Sequence, residues 1–127
     1  MLVAACGLAG LAALVHVYIF VLESLRWTEP ATRKVFGTTA ETAEITRPLA
    51  YNQGFYNLFL AIGTAVGIAL VPADKPGCIA LIVFGTGSML AAALVLVTSD
   101  RTKARAALVQ GLLPLLALSA LLVHALR

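Results

Sequence analysis

Four long apolar runs fill almost the whole 127-residue chain, at residues 2–25, 49–71, 77–98 and 106–126. Each reaches the roughly 20 residues an α-helix needs to cross a bilayer. Charged residues make up 12% of the chain and its mean hydropathy is +0.96. A soluble domain this small has too little interior to hide so much apolar surface. Within hydrocarbon the backbone is satisfied only as a helix or a closed barrel, and the runs lack the apolar–polar alternation of barrel strands. The expected fold is therefore all-α and integral to the membrane: a single-domain bundle of four transmembrane helices, with residues 26–48 as the one substantial inner loop.

The net charge of +3 is distributed as a topology signal rather than as a nucleic-acid surface. Arg26, Arg33, Lys34 and Arg47 lie between the first two runs, and Arg101, Lys103 and Arg105 between the last two. The opposite side has only Lys75 and Arg127. Basic loops stay in the cytoplasm, so both termini are expected outside, in a multi-pass protein of the cell's inner (plasma) membrane. The first run has no basic segment before it and is too long for a signal peptide. Cys6 and Cys78 then fall at the outer ends of helices 1 and 3. A disulfide is possible there if the ends touch, but the favoured expectation is two buried free thiols acting as small hydrophobes.

Local signals add detail. Trp27 suits an anchor at the membrane–water interface. Thr38 followed by Glu41 fits a capping box for a short interfacial helix. The second spanning helix is expected to start near Pro48, a residue accepted in a first turn. Gly63 and Gly67 share a face that permits close packing, and Pro114 removes one backbone hydrogen bond from the last helix.

Polar side chains inside the runs are few, and in hydrocarbon each needs a reason. At about 1.5 Å of rise per residue, His16 and Asn57 both lie near the midplane, while Glu23, Asn52, Gln53, Tyr56 and Gln110 lie in the inner half. His16, Phe20, Glu23 and Trp27 are spaced 4, 3 and 4 apart and form one stripe. If this stripe meets the Asn52–Asn57 segment, the result is a polar pocket open to the cytoplasm. His16 and Glu23 are the candidate catalytic pair, as titratable groups suited to acid–base work. Asn52, Gln53, Tyr56, Asn57 and Gln110 are the candidate substrate-binding groups, able to orient a carbonyl, hydroxyl or headgroup. The competing reading for each is interhelical hydrogen bonding alone, and for Glu23 a surface carboxylate paired with Arg26 or Arg47. His124 fits an interfacial position. No metal is expected, because His16 and Glu23 lack the i, i+3 or i+4 spacing for chelation on one helix. The residues specify no cofactor.

His16-Val-Tyr-Ile-Phe-Val-Leu-Glu23, Trp27, Lys34-Val-Phe-Gly37, Asn52-Gln-Gly-Phe-Tyr-Asn57 and Val109-Gln-Gly-Leu-Leu-Pro114 together resemble the domain-of-unknown-function family numbered 1304. The resemblance spans nearly the full chain. It implies a small four-helix prokaryotic membrane protein and no established activity. Val15 stands where the resemblance leads one to expect an acidic residue, which weakens a mechanism needing a carboxylate beside the histidine. The architecture is also similar, more loosely, to the membrane-associated eicosanoid and glutathione metabolism family, whose helix 2 motif has a faint counterpart in Arg47 and Asn52.

The leading functional expectation is binding or transformation of a small lipophilic or amphiphilic molecule in the inner-half pocket. The alternatives are a small proton-coupled transporter or channel, which the apolar outer halves disfavour, and a structural or accessory subunit. The expected partners are the lipid bilayer, such a molecule, and further copies of the chain in a homo-oligomer, a dimer or trimer; nucleic acid is not expected.

Overall fold

The computed structural model describes residues 1–127, and its regular elements are all helices, joined by short turns, with no strand. Helix α1 runs Leu2–Phe20 and continues into a π-helical turn at Val21–Leu25. A short helix α2 covers Pro30–Phe36, and α3 runs Ala40–Leu70. Helices α4, Cys78–Ser99, and α5, Ala104–Ala125, complete the chain. Four segments are long and apolar enough to cross a membrane: Leu2–Leu25, Ala40–Ala73, Cys78–Ser99 and Arg101–Ala125. They pack as a ring in the order α1, α3, α4, α5, with α5 returning to α1.

The second span departs most from the sequence expectation. It begins at Ala40 rather than near residue 49, and Pro48 sits inside it. The cap is Thr39, whose hydroxyl accepts from the Thr42 N–H at 3.1 Å, not Thr38. Proline tolerates this place because only the Glu44 carbonyl loses its partner, in a turn that lies beyond the apolar run. At about 1.5 Å per residue the 31-residue helix is roughly 46 Å long, well over the ~30 Å hydrocarbon thickness. Its first two turns therefore project past the apolar layer at the basic end.

Helix α2 folds over that same end. Gly37 follows it in the left-handed region at φ 65°, a conformation glycine adopts without strain. The Lys103 ammonium, from the α4–α5 turn, donates to the Phe36 carbonyl, so a cation meets the C-terminus of a helix. The Trp27 indole N–H donates to Thr46 Oγ1 at 3.1 Å, and the Trp27 ring lies 5.0 Å from that of Phe36. Trp27 is thus a strut between α1 and α3, beyond the interfacial anchor its position suggests.

At the opposite end, Ala5, Ala9, Ile82, Ala117, Ala120 and Leu121 form the buried core. Four of these six are alanines, small enough to let backbones approach. A Cβ on Gly67 would stand 2.9 Å from the Cys78 carbonyl oxygen, and one on Gly111 would stand 2.8 Å from Ala93 Cβ. Gly63, expected to share the packing face of Gly67, has nothing within 4 Å. The turn of the helix puts Gly67 against α4 and leaves Gly63 half-buried with no neighbour at its Cβ position. Cys6 and Cys78 are both free thiols.

Candidate functional site

The π-turn at Val21–Leu25 decides which residues of α1 reach α3. A π-turn inserts extra chain into a helix and re-aims the side chains around it. Here two successive residues, Glu23 and Ser24, both turn to α3. Ser24 Oγ donates to the Tyr51 carbonyl at 2.8 Å. Glu23 Oε2 accepts from Asn57 Nδ2 at 2.7 Å. An ionised carboxylate only accepts, which fixes the amide's orientation toward it.

Asn57 is 9% exposed, and its Nδ2 also donates to the Gln53 carbonyl at 3.3 Å. Both donors face protein acceptors, leaving Asn57 Oδ1 and the second Glu23 oxygen as open acceptors. Neither arginine expected as a partner of Glu23 reaches it. Arg26 pairs with Glu29 at 3.9 Å, and Arg47 with Glu44 at 4.0 Å. Glu23 is therefore a carboxylate at the edge of an apolar bundle, held by an amide and by no cation.

His16 is 1% exposed. Its Nδ1 lies 2.9 Å from the Ala12 carbonyl. A carbonyl only accepts, so Nδ1 carries the proton in that bond and the lone pair of the neutral ring is at Nε2. His16 and Glu23 are seven residues apart, about 10 Å along the axis, so any joint chemistry needs a bridging molecule.

The remaining expected binding residues are not gathered with these. Asn52, Gln53 and Tyr56 are exposed on the outside of the bundle, Tyr56 by 58%. The reason is helical phase: the buried stripe of α3 is Ala50, Gly54, Asn57, Ala61 and Thr64, and Asn52 and Tyr56 stand well round the helix from it. Gln110 is half-buried on α5. Of the seven residues expected to share one pocket, the fold joins Glu23 to Asn57, buries His16 on the same helix as Glu23, and turns three outward.

Two contributors were not singled out from the sequence. Ser24 supplies the second α1–α3 hydrogen bond, and Gly54 makes room for it: a Cβ at Gly54 would collide with Ser24 Oγ and lie 3.0 Å from Ser24 N. The glycine sitting between Gln53 and Phe55, beside a polar helix segment, was the available signal. Aromatic rings wall the seam on one side. Phe55 is 5.1 Å from both Phe20 and Tyr51 and 6.2 Å from Phe59. Farther from the basic end, an apolar groove between α1 and α3 is lined by Gly10, Ala13, Leu14, Val17, Ala61, Ile62 and Ala65. No three His, Cys, Asp or Glu side chains converge anywhere in the chain.

A family model described as a protein of unknown function, DUF1304, matches residues 10–122. No curated protein matches the chain. No solved structure matches it either.

Proposed function

Because this chain belongs to the family described as "Protein of unknown function (DUF1304)", a description that assigns no chemistry, we propose a function from its residues: a membrane-embedded protein that binds or transforms a small amphiphilic molecule at the Glu23–Asn57 pair. The single observation behind this is a span carboxylate bonded to Asn57 at 2.7 Å and paired with no cation. Carboxylates within spans are costly and tend to mark functional positions. The open acceptors, a carboxylate oxygen and an amide oxygen, suit a polar head that donates hydrogen bonds, a hydroxyl or an ammonium. The apolar groove between α1 and α3 suits the tail of such a molecule. In this reading Glu23 takes or lends the proton, Asn57 orients the carboxylate, and His16 offers Nε2 from deeper in the same helix.

The orientation adopted for this reading places the basic end in the cytoplasm and both termini outside. The amphiphile then enters from the inner leaflet, beneath α2.

One observation favours a second reading. Glu23–Asn57 and Ser24–Tyr51 both join α1 to α3, which is what helix-fixing hydrogen bonds would do in a structural subunit. Mass spectrometry of lipids and metabolites that co-purify with the protein separates the two. Loss of a specific bound amphiphile from Glu23→Gln, with the melting temperature kept, supports the binding site. Identical co-purifying molecules in both proteins leave only the structural reading.

A further inference from the structure

The chain has four primary amides, and the fold treats them differently. Asn57 is buried and bonded, Gln110 is half-buried, and Asn52 and Gln53 are exposed on α3. The exposed hydroxyls Thr98 and Ser119 return their protons to their own helix, to the carbonyls four residues back. Asn52 and Gln53 side chains, and the Tyr56 hydroxyl, have no such recourse within the protomer. Asn52 lies about 5 Å, and Tyr56 about 10 Å, into the apolar run that begins at Leu49.

These residues head a seam. Asn52, Tyr56, Phe59, Gly63 and Val66 follow one another at intervals of 4, 3, 4 and 3 along α3. That is the 3.5-residue repeat of helices packed in a left-handed supercoil. Four of the five are exposed, Phe59 by 60% and Val66 by 45%, and Gly63 is half-buried. Between Phe59 and Val66, a Cβ on Gly63 would meet nothing within 4 Å, a notch in which another helix can come close.

We infer that a second copy of this chain docks on the outer face of α3, in a two-fold pair that sets Asn52 against Asn52 and Gly63 against Gly63. The occupant follows from the chemistry of the face. Two copies in one membrane share an orientation, so their two-fold axis runs along the membrane normal and brings α3 parallel to its mate. Each seam residue then meets itself. A primary amide both donates and accepts, so it is complementary to its own copy, as a polar residue in a helix seam is when it fixes register. The surface rests on burial and spacing in α3 and is independent of the proposed role of Glu23.

Cysteine cross-linking in native membranes tests this without any ligand. In a Cys6→Ala/Cys78→Ala background, single cysteines replace Asn52, Tyr56, Phe59, Gly63 and Val66, and outward positions Val83 and Leu94 on α4 serve as comparison. The expected result is a dimer band for the seam positions, strongest at residues 52 and 63, and little or none from α4. Equal cross-linking of α3 and α4, preferential cross-linking through α4, or a trimer as the native species in mass spectrometry overturns the inference. Energy transfer between labelled copies in liposomes gives a second reading: Asn52→Leu raises the dimer dissociation constant about three- to tenfold. An unchanged constant counts against the seam whatever becomes of ligand binding.

Discussion

Ser24 and Gly54 fit each other so closely that a single methyl decides the outcome. In Gly54→Ala the new Cβ meets the Ser24 hydroxyl, and the cost expected for forced repacking is about 1–3 kcal/mol. A thermal melt in detergent should show the drop, and Ser24→Ala added to it should recover part of the loss by removing the colliding oxygen. Glu23 gives a sharper contrast. Glu23→Leu removes a costly group from the spans together with one interhelical bond, worth about 0.6 kcal/mol on average. The expected result is a melting temperature unchanged or raised, with bound amphiphile lost; a large fall in melting temperature with binding intact reverses the assignment. At this scale the sequence was legible in part. Glu23, His16 and Asn57 stand out because polarity in an apolar run is conspicuous. Ser24 does not, since a serine near a helix end draws no attention. The outward phase of Asn52 and Tyr56 was hidden because polar residues stand on more than one face of α3, and spacing alone does not say which face meets α1.

The connecting elements at the basic end carry more structure than a loop. Trp27→Phe keeps the ring against Phe36 but loses the N–H donated to Thr46, a change worth about 1 kcal/mol. Hydrogen exchange should then be faster across Pro30–Phe36, while exchange in α4 stays as it was. The turn before α5 has its own lock. Thr102 donates its hydroxyl and its backbone N–H to Asp100 Oδ1, at 2.6 and 2.9 Å. These bonds, the hydroxyl's foremost, hold the Asp100 carboxyl below the usual carboxylate range. Because the folded value is the lower one, the contribution of this turn is complete above about pH 4 and is lost as the pH falls through the depressed value. Exchange at the Thr102 amide should therefore differ between the protein and Asp100→Ala at pH 7 and converge in strong acid. Helix existence was readable from the apolar runs, but α2 was not, since seven residues rich in charge carry no periodic signal. The early start of α3 was obscured by Pro48, which reads as a first-turn residue.

Across the whole molecule, the placement of basic residues sets a testable orientation. A fusion of alkaline phosphatase to the C-terminus should be active and a fluorescent protein fused there dark, as expected for an external terminus; the reverse pattern inverts the topology. The four-span plan was plain from hydrophobic length alone. The ring order was not, because in lipid the neighbours are chosen by shape among Gly and Ala residues that look alike in sequence.

The hydrogen bonds between spanning side chains and neighbouring spans, Glu23 to Asn57 and Ser24 to Tyr51, both lie within the first hairpin, α1 and α3. Helices α4 and α5 join by packing of small residues. Biogenesis inherits this asymmetry. As the chain emerges during synthesis, α1 brings a carboxylate that lipid alone receives poorly, and its amide partner arrives only with the next span. The hairpin is expected to enter the bilayer as a unit, with its polar groups already masked by one another. The later pair carries Gln110 but no acidic residue within its apolar runs, so we expect the first 71 residues and the remainder to insert and assemble when expressed as two separate chains.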